Sequence, residues 1–194
     1  MRDEPLSMIG ARRGHFRLES GHHGDLWLEV DALFRRPARL RPAIGSLARR
    51  LAAHDVEVVC GPLSGGAFVA QMVALELDAE FCYTERIAVP QAGALYSARY
   101  RLPPEFAVNG RRVAVVDDVI NAGSAVRATL SALHDAQAVP MAIGALLMLG
   151  RNAATLAKDH GLALEAVADL DNTLWPPQNY PLCATGTPLE DLIA

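Results

Sequence analysis

The stretch VAVVDDVINAGSAVRATL, residues 113–130, constrains the fold more than any other part of the chain. Four apolar residues precede two acids, Asp117 and Asp118, and a turn containing Gly123 separates the acids from a helical pattern. A strand that is apolar on both faces is typical of the centre of a parallel sheet. The stretch therefore predicts a buried strand with the two acids at its carboxyl end, then a helix over residues 124–136.

The same alternation of strand and helix runs through most of the chain and predicts an α/β fold with a central, mainly parallel sheet flanked by helices. Further strands are predicted at residues 56–61, 80–85, 139–149 and 162–170, and further helices at residues 40–54, 64–77 and 152–160. The residues before Gly14 resemble a short helix, and two extended pieces follow around the turn ESGHHG. We expect a single domain over residues 1–194.

Composition and charge exclude several classes of protein. A net charge of −4 argues against nucleic-acid binding, since phosphate-tracking proteins usually carry a basic face. No stretch approaches the roughly 18 consecutive apolar residues of a membrane-spanning helix, and the opening residues lack a secretory signal. We therefore expect a cytoplasmic protein with no membrane and no nucleic-acid partner.

The cysteines and paired histidines show no metal-binding spacing. Cys60, Cys82 and Cys183 form no CxxC pair, which favours reduced thiols over disulfides or a zinc site. His22 and His23 are adjacent, so their side chains point in different directions on an extended chain, and no third ligand stands at a suitable spacing. We expect this pair to lie in a solvated turn.

Two loops of the predicted sheet suit an anion. In CGPLSGGAFVA, residues 60–70, glycines flank Ser64 and let backbone amides approach a ligand, although such a turn can also be purely structural. In INAGSA, Ser124 is expected to cap the following helix, whose free N–H groups and dipole favour a phosphate. The paired acids could be capping groups without chemistry, but they also suit hydroxyl groups, Mg²⁺ or positive charge on a sugar. A phosphate joined to a ribose would satisfy the whole second loop.

At these residues a family resemblance emerges. RVAVVDDVINAGSA resembles the phosphoribosyl-pyrophosphate (PRPP) signature of the type I phosphoribosyltransferases. GHFRLESGHHGDLWLEVD and GPLSGGA are similar to the N-terminal pattern and the pyrophosphate loop of orotate phosphoribosyltransferases, and the similarity runs from about residue 5 to residue 170. The resemblance implies a type I phosphoribosyltransferase fold with a small N-terminal hood (1–36), a mobile lid loop (86–104), a C-terminal tail (174–194) and a homodimeric assembly.

The resemblance also implies an activity and a set of site residues. Ribose 5-phosphate would pass from PRPP to orotate with loss of pyrophosphate, Mg²⁺ would be carried by PRPP, and no residue is assigned as a direct metal ligand. Asp117 and Asp118 would hold the ribose hydroxyls and stabilise positive charge at the sugar. The implied PRPP ligands are Leu63, Ser64, Gly65, Gly66, Arg86, Asn121, Ala122, Gly123, Ser124 and Ala125; the implied orotate ligands are Asn121, Arg151 and Trp27; the implied lid cations are Arg99 and Arg101.

Two departures from the family pattern keep a second hypothesis open. The lid segment has no lysine or histidine, and Glu19, directly before Ser20, would repel a polyphosphate. The alternative is a phosphoribosyltransferase-fold protein of another specificity, or one that binds PRPP or a nucleotide without turnover. In the tail, Trp175 and Tyr180 stand beside prolines, and we expect them to be exposed and to pack across a subunit boundary.

Overall fold

The computed structural model describes residues 9–87, 95 and 98–192, which form two sheets and their flanking helices. The strands are β1 (Gly10–Arg17), β2 (His23–Glu29), β3 (Val58–Pro62), β4 (Glu80–Ile87), β5 (Arg99–Arg101), β6 (Arg112–Ile120), β7 (Val139–Leu149), β8 (Ala163–Leu170) and β9 (Glu190–Asp191). The α-helices are α1 (Asp31–Phe34), α2 (Arg41–Leu51), α3 (Gly65–Leu77), α4 (Ser124–Asp135), α5 (Asn152–His160) and α6 (Pro181–Ala184). Short 3-10 helices lie at Pro37–Leu40, Ala52–His54 and Pro177–Asn179.

The larger sheet confirms the predicted α/β fold. Its strand order is β5-β4-β3-β6-β7-β8, and every neighbouring pair is parallel except β4 with β5. Helices α2 and α3 pack on one face of the sheet, and α4 and α5 pack on the other. Within the described residues, no helix is long and apolar enough to cross a membrane.

The central strand β6 shows why the sheet is buried on both sides. Val113 and Val115 belong to the core beneath α4 and α5, whereas Ala114 and Val116 belong to the core beneath α2 and α3. This follows from the two-residue period of a strand. The strand extends further than predicted, because its pairing with β7 continues to Ile120, and the two acids therefore lie within it.

Strands β1 and β2 with the turn between them form the N-terminal hood, and β9 of the tail completes a small sheet with the order β2-β1-β9. The prediction of a helix before Gly14 is wrong, because β1 pairs with β2 along most of its length. The short strand β9 of the tail pairs in parallel with the other edge of β1. The tail thus packs against the hood of its own chain.

Contacts with the tail also correct the expected exposure of several side chains. The backbone N–H of His23 donates to Trp175 O at 2.9 Å, and Trp175 N donates back at 3.1 Å. Tyr180 is only 4% exposed, and His22 and His23 are buried rather than solvated. The turn at these histidines was predicted to be solvated because no local pattern reveals the tail that covers it.

About half of the expected lid, residues 88–94 and 96–97, lies outside the described residues. Its two ends form an antiparallel hairpin, with Arg86 opposite Tyr100 and Glu85 opposite Arg101. Of the expected lid, the structure therefore describes residues 86–87, 95 and 98–104.

Candidate active site

The two acids of β6 lie at the carboxyl end of the larger sheet, where Asp117 is buried and Asp118 is half-buried. Asp117 Oδ1 accepts the backbone N–H of Asp118 at 3.0 Å, and Asp118 Oδ1 accepts that of Val119 at 2.7 Å. Burial raises the pKa of Asp117 well above its ordinary value, and the neighbouring Asp118 raises it further. Burial also raises the pKa of Asp118. The pair therefore favours binding of a cation or of hydroxyl donors, either of which would stabilise the ionised form.

The glycines at the start of α3 pack directly against these acids. A Cβ atom at Gly66 would lie 2.6 Å from Asp117 Oδ1, and one at Gly65 would collide with the carboxylate of Asp118. A side chain at Gly66 would also meet the ring of Pro62, so this position requires glycine, whereas a side chain at Gly65 would displace the carboxylate of Asp118. The peptide bond between Leu63 and Ser64 just before them is cis. The glycine-rich loop and the acid pair thus form one wall of a single site.

The turn after β6 leads into the N-terminus of α4. Gly123 precedes the helix with a φ of 76°, a left-handed conformation that glycine adopts without strain. The expected cap by Ser124 is not formed, because the helix begins at Ser124 and its hydroxyl donates to Glu19 Oε2 at 3.3 Å. Asn121 Oδ1 accepts from Asn172 at 3.1 Å. The N–H groups of the first helical turn remain suited to a phosphate.

Glu19 of the hood makes contacts that the sequence did not reveal. Besides Ser124, its carboxylate accepts the hydroxyl of Tyr100 at 3.1 Å and lies 3.5 Å from Arg86 Nε. Burial raises the pKa of Tyr100, and the nearby charge of Glu19 raises it further. Glu19 thus places a negative charge next to the helix end and the arginine that are expected to bind phosphate groups.

All of these groups line one cavity of about 440 Å³. It contains the acid pair, the loop from Leu63 to Gly66, Arg86, and the turn from Asn121 to Ala125. The hood closes it with a half-buried Trp27. The structure therefore brings together every residue expected to bind PRPP, and Trp27 with them.

Three predicted arginines are absent from the cavity lining. Residues alternate between the two faces of a strand, so Arg99 and Arg101 lie on the face opposite Tyr100, and Arg101 pairs with Glu85 at 3.0 Å. Arg151 is exposed at the start of α5, after the left-handed turn at Gly150. Their expected roles in the lid and at orotate stay predictions.

Sequence reasoning did not place Tyr100 in the cavity. The segment around it has no clear period, so its strand was not predicted. A hairpin register pairing Tyr100 with Arg86 would have placed both side chains on one face. Leu192 near the end of the tail also lines the cavity, and no local signal indicates this.

Comparisons with known proteins agree with this geometry. Residues 29–173 match the phosphoribosyl transferase domain family. The chain is 31% identical to the orotate phosphoribosyltransferase of Thermotoga maritima over 188 residues, covering 96% of this chain and 94% of the relative. A crystal structure of orotate phosphoribosyltransferase from Aeropyrum pernix superposes with a TM-score of 0.66 at 24% identity, covering 87% and 91% of the two chains. Adenine phosphoribosyltransferase from Thermoanaerobacter pseudethanolicus superposes with a TM-score of 0.70 at 15% identity, covering 88% and 100%.

Proposed function

Since the chain belongs to the phosphoribosyl transferase domain family, we propose that it transfers the phosphoribosyl group of PRPP to orotate. The bond between C1 of the ribose and the pyrophosphate oxygen would break, and a bond from C1 to a ring nitrogen of orotate would form. Pyrophosphate would leave with the bonding electrons, and the nitrogen would supply the new pair and lose its proton to solvent. The Thermotoga maritima relative, similar over nearly the full length of both chains, supports orotate as the base.

The observation that carries the proposal is the contact between the acid pair and the glycine loop in one cavity. A Cβ at Gly66 would press on Asp117, so a pyrophosphate bound by this loop would lie beside the acids. The N-terminus of α4 opens on the same cavity and can receive the 5′-phosphate. The ribose would then lie between two anion sites, with its hydroxyls next to Asp117 and Asp118.

The acids have properties suited to stabilising a developing positive charge. Because burial raises the pKa of both groups, positive charge at the ribose would favour loss of a proton from the pair. An ionised pair in the low-dielectric surroundings of a protein stabilises such charge more strongly than the same pair in solution. Its role would be electrostatic, and it would form no covalent bond with the sugar.

Mg²⁺ fits the donor set of this site. Its preferred ligands are oxygens, which the acid pair and the phosphate groups of PRPP both offer. The ion would supply neutralisation of the pyrophosphate charge, while Asp117 and Asp118 would hold the ribose hydroxyls. We also propose a homodimer, because Arg99 and Arg101 face away from the cavity of their own chain and could serve a neighbouring one.

A second candidate is transfer to a base without a carboxylate, such as adenine. Arg151, the expected partner of the orotate carboxylate, is exposed and outside the cavity. The similarity in fold to adenine phosphoribosyltransferases is compatible with this alternative but does not identify a base.

Release of pyrophosphate from PRPP and Mg²⁺ in the presence of single bases tests both candidates. We expect release with orotate and little with uracil or adenine. The double variant Asp117→Asn with Asp118→Asn should lower the rate by orders of magnitude, whereas Glu85→Gln, outside the cavity, should not. Release with adenine alone would favour the second candidate, and no release with any base would contradict both.

A further inference from the structure

The hood and the tail together bring three potential metal ligands into close contact, outside the cavity described above. His15 comes from β1, His23 from β2 and Cys183 from α6 of the tail. His15 Nε2 lies 2.9 Å from His23 Nδ1, His23 Nδ1 lies 3.1 Å from Cys183 Sγ, and Cys183 Sγ lies 3.4 Å from His15 Nε2. None of the three residues lines the cavity.

Hydrogen bonds alone do not account for this triangle. His15 Nδ1 lies 2.8 Å from the carbonyl oxygen of Thr187, which can only accept, so Nδ1 carries the hydrogen and Nε2 presents a lone pair. With neutral rings, His23 Nδ1 and the thiol offer at most two hydrogens for three short edges. At least one edge then has no hydrogen of its own, which is unfavourable beside the two buried histidines.

A metal ion would satisfy all three atoms at once. Zinc binds histidine nitrogen at about 2.0–2.1 Å and cysteine sulfur at about 2.3 Å, so tetrahedral ligands lie roughly 3.3–3.6 Å apart. The three distances between the ligand atoms are slightly shorter than most of these values. A small outward movement of the side chains would make room for the ion. The bond from His15 Nδ1 to a backbone carbonyl is the outer contact that commonly fixes the tautomer of a metal-binding histidine.

Contacts of the tail hold Cys183 and the two histidines in place. Cys183 lies in a tight turn where Gly186 N donates to its carbonyl oxygen at 3.2 Å, and Gly186 has a φ of 70°. The ring of Tyr180 packs against His15 with centroids 5.1 Å apart and against His23 at 6.1 Å. The histidines are buried while Cys183 is exposed, so a fourth ligand from solvent can complete the coordination.

We propose that His15, His23 and Cys183 bind one Zn²⁺ ion that fastens the C-terminal tail to the hood. Two imidazoles and a thiolate favour zinc over Mg²⁺ or Ca²⁺, which prefer oxygen ligands. The ion joins residues 15 and 183, so it ties the two ends of the described chain together. Its role is structural, and it is separate from the Mg²⁺ proposed to enter with PRPP.

The test is a titration of reduced, chelator-treated full-length protein with Co²⁺ and with Zn²⁺. We expect saturation at one equivalent, with visible absorption of tetrahedral Co²⁺ and a thiolate-to-cobalt band in the near ultraviolet. Cys183→Ser should lose the thiolate band and bind Zn²⁺ more weakly, by at least the roughly 10–100-fold that loss of an outer-shell partner costs. His134→Asn, an exposed histidine, should bind like the wild type.

The outcomes decide the proposal even if a variant fails to fold. Wild-type protein that binds no stoichiometric Zn²⁺ or Co²⁺ would overturn it, as would a Cys183→Ser variant with unchanged affinity. Zn²⁺ should also raise the melting temperature of the wild type and of His134→Asn, and not that of His23→Asn. Equal shifts in all three proteins would place the metal elsewhere.

Discussion

Glu19 provides the sharpest test of the proposed PRPP site. Its carboxylate accepts the hydroxyl of Ser124, the first residue of α4, and lies 3.5 Å from Arg86 Nε, where phosphate groups are expected. Glu19→Gln keeps the shape and the acceptor oxygen of the side chain but removes the negative charge. We expect this variant to bind PRPP more tightly than the wild type, because a polyphosphate would no longer meet a like charge in the cavity.

The magnitude follows from distance and screening. A phosphate at the α4 N-terminus would bring its charge to within about 5 Å of Glu19, where two unit charges repel by about 3 kcal/mol at an effective dielectric constant of 20. Arg86 offsets part of this repulsion, and the Glu19 side chain is 27% exposed to solvent. About 1–2 kcal/mol should remain, which is roughly a 5–30-fold decrease in Kd for PRPP.

Calorimetric titration with PRPP and Mg²⁺ measures this difference directly. The matched control is Glu85→Gln. This variant also removes one negative charge, but Glu85 lies on β4 and pairs with Arg101 outside the cavity. The difference in PRPP affinity between Glu19→Gln and the wild type should also become smaller at higher salt, because salt screens the repulsion between the partly exposed Glu19 and the phosphate. Unchanged or weaker PRPP binding by Glu19→Gln would refute the reasoning and indicate that the charge of Glu19 holds a ligand hydroxyl.

Three further predictions test the acids, the base and the glycine loop. Burial raises the pKa of Asp117 in the folded state. The stability that the protonated Asp117 contributes is therefore fully present below its ordinary pKa of about 4, and it is lost as the pH rises through the folded-state pKa. Asp117→Asn should therefore melt above the wild type at pH 8 with the gap closing near pH 4, and a lower melting point at pH 8 would contradict this. Arg151→Ala should weaken orotate binding by about 2–4 kcal/mol and spare PRPP if the arginine reaches the orotate carboxylate in the complex, whereas calorimetry showing no change would favour another base. A Cβ at Gly66 would meet the Pro62 side chain at 2.7 Å as well as Asp117, so Gly66→Ala should lower the free energy of unfolding by about 1–3 kcal/mol and impair PRPP binding. The control Gly45→Ala lies in a helix with room for a methyl group and should be neutral or stabilising in the same denaturant titration.

Local patterns predicted the elements whose residues pack against the sheet. Helix α5 was predicted at its observed bounds, and the strand period of β6 follows from apolar residues that face two cores. The part of β1 before Gly14 was mistaken for a helix, whereas the residues after Gly14 were predicted as extended. The strand is stabilised by pairing with β2 and with β9, which lies far away in the sequence. Such pairing between distant segments cannot be predicted from neighbouring residues alone.

The candidate site also contains parts that the sequence predicted and parts that it did not. The acids and the glycine turns were predicted because each is encoded in a short strand, turn and helix. The contact of Glu19 with Ser124 joins residues 105 positions apart, so the sequence suggested a helix cap where the structure has a bond to the hood. Ser124 was thus expected to cap α4, but it binds Glu19 instead because the fold brings this distant acid next to it.

The hood links this cavity to the proposed zinc site. Glu19 and Trp27 line the cavity from the same two-stranded unit whose β1 and β2 carry His15 and His23. The tail contacts both places, since Cys183 joins the histidines, Asp191 pairs with Arg17, and Leu192 lines the cavity. A hood that loosened would shift the charge of Glu19 relative to the α4 N-terminus without moving the acids of β6. Loss of the ion should therefore alter the affinity for PRPP more than the rate of the chemical step.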